Sequence, residues 1–80
     1  MKTKLTIESN DPDICGSWRK DDVEAEMREI GMCVGAADDW IEYILSHFDF
    51  SDDIINAIAN EDVLTMAFRF DGDVVYVTKK

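Results

Sequence analysis

Residues 64–77 read LTMAFRFDGDVVYV, and this stretch decides the fold. Apolar and polar residues alternate before and after Asp71-Gly72, a pair typical of a two-residue hairpin turn, in which both positions need a positive φ. With these two residues as the loop, Phe68 lies opposite Val75, and the apolar side chains of both strands share one face. The stretch therefore predicts a β-hairpin with one buried face.

The N-terminal part predicts one strand, a loop and a helix. Residues 3–8 alternate between apolar and polar side chains, which indicates a half-exposed strand. Residues 9–20 contain a proline and a glycine and predict a loop. Asp21 or Asp22 is then expected to cap a helix, whose apolar stripe is Val23, Met27 and Ile30.

Two further helices are expected before the hairpin. Residues 36–48 predict a helix with Trp40 at the centre of a broad apolar face, and Ser51 predicts the cap of a short third helix. The resulting order is β-α-α-(α)-β-β. It predicts a single α+β domain over residues 1–80, with a three-stranded, mainly antiparallel sheet and the helices packed on one face.

Charge is the unusual feature of the composition. The chain has 18 acidic and 8 basic residues and a formal net charge of −10. Lys2, Lys4, Lys79 and Lys80 lie at the termini, so residues 5–78 carry 18 acidic against 4 basic groups, or −14. Such a body repels nucleic acid and anionic lipid, which argues against direct binding to either and favours a basic protein partner.

The location of the protein follows from what the sequence lacks. No apolar run approaches the length of about 18 residues expected of a membrane span, and the charged opening MKTK is unlike a secretory signal. We therefore expect a cytoplasmic protein. Cys15 and Cys33 are expected to be reduced and partly buried, although spacing alone leaves a disulfide between them open.

Catalytic and cofactor sites are not indicated. His47 is the single histidine and lies at the edge of a helical apolar face, without a nucleophile beside it in the pattern. The glycines match no phosphate-binding loop. An EF-hand-like count over residues 11–22 has a cysteine at one oxygen position and an aspartate in place of the usual bidentate glutamate. We expect no enzyme activity, cofactor or metal.

The acidic residues are the remaining candidate site. Asp22, Glu26 and Glu29 recur at helical spacing and form a row of carboxylates beside the apolar stripe of the first helix. Ordinary solvated faces mix both signs of charge, so this row favours a binding role. The candidate partner-binding residues are Asp22, Glu26, Glu29, Asp38, Asp39, Glu42, Asp49, Asp71 and Asp73.

In size, charge, lack of catalytic residues and carboxylate rows such as Asp22/Glu26/Glu29, the chain resembles small acidic phage inhibitors of the anti-CRISPR and anti-restriction type. The resemblance implies a nucleic-acid mimic that occupies the nucleic-acid site of a partner such as a CRISPR effector or a restriction complex. One alternative is an immunity protein or antitoxin that neutralises a basic toxin. Another is a housekeeping adaptor or small homo-oligomer with an apolar patch around Trp18, Val74 and Tyr76. The sequence leaves the oligomeric state open.

Overall fold

The computed structural model describes residues 3–61 and 63–80, which form a four-stranded antiparallel sheet and three α-helices. The strands are β1 (Lys4–Ser9), β2 (Gly16–Arg19), β3 (Leu64–Phe70) and β4 (Asp73–Lys79), and the helices are α1 (Lys20–Glu29), α2 (Asp39–Leu45) and α3 (Asp52–Ala59). The strand order is β2-β1-β4-β3. The predicted α+β class is confirmed, but the predicted three-stranded sheet is wrong.

The additional strand, β2, lies inside the segment predicted as a loop. It pairs antiparallel with β1, with Leu5 opposite Trp18, after a 3-10 turn at Pro12–Ile14. Its four residues include one large apolar side chain, so no alternation was visible in the sequence. Gly16 has a packing role, because the ring of Trp18 lies 2.5 Å from where a Cβ on Gly16 would be.

The β3–β4 hairpin is confirmed in turn and register. Asp71 and Gly72 have φ values of 52° and 86°, as a primed two-residue turn requires. Phe68 lies opposite Val75. The local turn chemistry and the alternating pattern therefore specify the same pairing.

Helix α1 begins earlier than predicted. Arg19 occupies the N-cap position and makes no side-chain cap bond, so the predicted cap by Asp21 or Asp22 is wrong. The reason is that β2 runs directly into the helix, and the Lys20 amide donates to the carbonyl of Thr3 at 2.9 Å. A backbone bond to Thr3, the residue before β1, thus takes the place of a carboxylate cap.

Helices α2 and α3 follow the predicted order with different lengths. The helix predicted over residues 36–48 is regular only over Asp39–Leu45 and continues as turns to residue 49. Ser51 caps α3 as predicted, because its Oγ accepts from the Ile54 amide at 3.4 Å.

The core lies between the helices and one face of the sheet. Trp40 is 1 % exposed, as expected of the centre of α2, whereas Ile30 follows the end of α1 and is 58 % exposed, contrary to prediction. The buried apolar residues are Leu5, Ile7, Ile14, Val23, Met27, Trp40, Ile41, Ile44, Leu45, Phe50, Ile58, Val75 and Val77. The opposite face of the sheet is left open to solvent around Tyr76.

Lys79 is buried, although the sequence pattern grouped it with the terminal charges. Its Nζ donates to the carbonyls of Ile58 and Ala59, at 3.1 and 3.3 Å, at the end of α3. A cation here complements the negative end of the helix dipole. Within residues 3–61 and 63–80, none of the helices combines the length and apolarity needed to cross a bilayer.

Candidate functional site

The carboxylate row of α1 consists of Asp22, Glu26 and Glu29, and all three side chains are exposed. Their position follows from the helix period. Val23 and Met27 are buried, so the side chains one position before each lie beside the buried stripe. The predicted row is therefore present on one helix.

A groove of about 640 Å³ runs between this row and the edge of the sheet. The row forms its helical side, and strand residues form the other. Its lining residues are Lys4, Ser17, Trp18, Arg19, Asp22, Val23, Ala25, Glu26 and Glu29. The strand side of the groove was not predicted from the sequence, because residues 16–19 were expected to form a loop and Lys4 was grouped with the terminal charges.

The carboxylates of the row are electrostatically unpaired. In the part of the chain that the structure describes, none of the three makes an ion pair within 4 Å. Glu24 and Arg28 on the same helix, which have compensating charges at i and i+4, do not pair either. The row therefore presents exposed carboxylates that have no ion-pair partner among the described residues.

Asp39 makes hydrogen bonds within the chain, unlike the acids of the α1 row. Its Oδ2 accepts hydrogen bonds from the amides of Gly35 and Ala36, both at 2.9 Å. The bonds from Ala36 and then Gly35 favour the ionised form and lower the pKa of the Asp39 carboxyl below its usual range. Asp39 thus holds the loop before α2 in place, which restricts its use as a contact for a partner.

The other candidate acids do not join the α1 row in the groove. Asp38 is half-buried and lines a separate concavity of about 270 Å³, together with Lys20 and Lys79. Glu42 and Asp49 are exposed on α2 and on the turn after it.

The two hairpin acids, Asp71 and Asp73, lie towards the β3 edge of the sheet, away from the groove beside β2. Asp71 is exposed in the β3–β4 turn, and Asp73 is partly buried at the start of β4. Strands β2 and β3 are the two edges of the sheet. Helix α1 packs on β2, so the hairpin that contains β3 lies at the edge away from α1. The nine predicted residues therefore fall into separate patches, and the α1 row is the patch whose three members line one groove.

The apolar patch considered around Trp18, Val74 and Tyr76 is not one surface. Trp18 pairs with Leu5 and faces the helices, whereas Tyr76 pairs with Glu8 on the open face of the sheet. Val74 lies near Tyr76 on the open face.

The open face of the sheet is cationic. Lys4, Arg19, Arg69 and Lys80 are all exposed there, with Glu8 as the acid among them. Pairing brings Lys4 beside both Arg19 and Lys80. Lys4 and Arg19 also line the groove beside the α1 row, so these cations border the acidic row at the β2 edge of the sheet.

Groups with catalytic potential are scattered. His47 is exposed, with Nδ1 2.8 Å from the carbonyl oxygen of Tyr43. Cys15 and Cys33 are free and exposed rather than partly buried, and the Cys15 thiol donates to the Ser9 carbonyl at 3.0 Å. Among the described residues, no three His, Cys, Asp or Glu side chains are arranged to hold a metal ion.

Comparison with known proteins gives no relative: no family model, no curated protein and no solved structure matches this chain.

Proposed function

We propose that this protein is a non-enzymatic acidic inhibitor that occupies the nucleic-acid site of a basic partner protein, in the manner of a DNA mimic. The observation that carries the proposal is the row of Asp22, Glu26 and Glu29, which is exposed, unpaired and held on one helix. The proposed partner is a CRISPR effector or a restriction enzyme. The protein would then be a phage-encoded inhibitor that acts in the cytoplasm.

The spacing of the row suits this role. Carboxylates three or four residues apart on a helix stand roughly 5–6 Å from one another at Cβ, which is of the same order as the spacing of successive phosphates along a strand. Because α1 is packed against β2 and α2, the row loses little conformational freedom on binding. A rigid acidic row can therefore enter a channel built for a phosphate backbone.

The proposal is tested by charge reversal with a matched control. The double variant Glu26→Lys/Glu29→Lys changes the row, and the control Glu8→Lys/Asp13→Lys reverses two exposed acids away from α1. Each pair changes the formal net charge by four units, from −10 to −6. The readout is the displacement of labelled DNA from a CRISPR effector, a restriction enzyme and a basic nuclease toxin, measured by fluorescence anisotropy at several salt concentrations.

We expect the wild-type protein to displace DNA from a nucleic-acid-binding partner, with an affinity that falls as salt rises. Reversal of the row should weaken displacement by about tenfold or more, because it places like charges against the basic channel. Equal losses for the row and the control variant would show that net charge alone acts, and the mimicry proposal would fail. Tight binding confined to the toxin would favour an immunity protein instead.

A further inference from the structure

A further cavity lies between β2, α1 and α2, on the helix side of the protein. It has a volume of about 290 Å³. Its lining residues are Trp18, Glu26, Tyr43, Ile44, His47 and Phe48. Four of these six side chains are aromatic rings, and one is a carboxylate from the α1 row.

The rings are arranged around the cavity in edge-to-face pairs. The centroids of Trp18 and Phe48 are 6.0 Å apart at an interplanar angle of 67°, and those of Tyr43 and His47 are 5.0 Å apart at 82°. Trp18, Tyr43 and Phe48 are each only partly buried, so they still contact solvent at the cavity. Aromatic faces carry negative electrostatic potential and attract cations within about 6 Å of the ring centroid.

Glu26 supplies the charge of the site. Its side chain is exposed, makes no ion pair in the described part of the chain, and lines both this cavity and the larger groove. Glu29, one turn further along α1, lines the groove but not the cavity. A carboxylate beside several aromatic rings is complementary to a cationic side chain with a flat apolar surface.

We propose that this cavity binds an arginine side chain of the basic partner. The guanidinium group stacks on the aromatic rings and donates hydrogen bonds to the Glu26 carboxylate. Arginine fits better than lysine because its planar, weakly hydrated group can stack and bind a carboxylate at the same time. This inference rests on the proposed function, since it gives the acidic row one specific anchor within a wider electrostatic contact.

The test uses two peptides of equal charge, tetra-arginine amide and tetra-lysine amide, added to the isotope-labelled protein and followed by NMR. The arginine peptide should shift the Trp18 indole N–H and the Tyr43 ring signals, while the indole of Trp40, which is 1 % exposed, serves as an internal control. Glu26→Gln and Glu29→Gln each remove one negative charge from the same helix face. Because Glu26 lines the cavity and Glu29 does not, comparing the two variants distinguishes binding in the cavity from binding in the groove. Trp18→Leu tests the rings directly.

We expect Glu26→Gln to weaken binding of the arginine peptide more than Glu29→Gln does. Trp18→Leu should weaken it by about three- to thirty-fold, the range for partly to fully desolvated cation–π contacts. Part of this binding should persist at about 0.5 M salt, where long-range attraction is screened. The proposed arginine site would be refuted if both peptides bound equally, the two glutamine variants lost equal affinity and the ring signals did not change. The acidic row would then remain as the binding surface. If DNA displacement from the basic partners is absent as well, the proposed function itself fails.

Discussion

Replacing Lys79 by methionine should destabilise the protein by about 1–3 kcal/mol. Lys79 is 4 % exposed, and its Nζ donates to the Ile58 and Ala59 carbonyls at the end of α3. Methionine keeps the shape of the chain but leaves these carbonyls without that donor. A hydrogen bond to a charged group contributes about 1.5–3 kcal/mol, and a cation near a helix C-terminus adds about 0.3–1 kcal/mol. The methionine variant no longer has to bury an ammonium group, and the desolvation cost that this saves offsets part of the loss.

The matched control is Lys80→Met, which makes the same chemical change one residue away at an exposed side chain. It should alter the free energy of unfolding by less than about 0.5 kcal/mol. Urea unfolding followed by circular dichroism measures both variants, and the melting temperature of the Lys79 variant should fall by about 4–8 °C per kcal/mol in a domain of this size. Equal midpoints for the two variants would refute the view that Lys79 stabilises the end of α3.

Three further substitutions, the first with a control on the open sheet face, test the core, the β2 edge and the loop before α2. Trp40→Ala should cost about 3–5 kcal/mol because the ring is fully buried, whereas Tyr76→Ala on the open sheet face should cost far less; thermal melts compare them. Gly16→Ala should displace the Trp18 ring, which lies 2.5 Å from the added Cβ, and should lower stability by about 1–3 kcal/mol with a change in tryptophan fluorescence. An unchanged spectrum would contradict that packing. Because the folded-state pKa of Asp39 is lowered, its contribution to stability is present above the unfolded pKa of about 4 and is lost as pH falls through the folded value. Asp39→Asn should therefore flatten the fall in stability below about pH 4, and acid titrations of the two proteins that run parallel would contradict this.

The sequence predicted those elements whose signals are local. The hairpin was predictable in register because Asp71-Gly72 and the alternating strands specify the same pairing, and the Ser51 cap was predictable from the residue type alone. Strand β2 was not predictable in this way. Its pairing with β1 depends on a tertiary contact, and its four residues are too few to show a period.

The same distinction applies to the candidate site. The α1 row was predictable because helical spacing alone aligns Asp22, Glu26 and Glu29. The groove beside the row was not predictable, because it is formed between α1 and β2, and β2 was not predicted. The role of Asp39 also depends on structure, since its carboxylate folds back onto two backbone amides of the preceding loop.

Net charge alone describes this protein poorly, because the open face of the sheet is basic while the whole chain is acidic. Lys4, Arg19, Arg69 and Lys80, together with Glu8, give the open sheet face a formal charge of +3, against −10 for the whole chain. The open sheet face is therefore basic, although Lys4 and Arg19 also line the groove beside the α1 row. Under the proposed function, a basic partner should be attracted to the α1 row and repelled by the open sheet face. Such a partner should meet the α1 row and the aromatic cavity together, because Glu26 lines both the groove and the cavity.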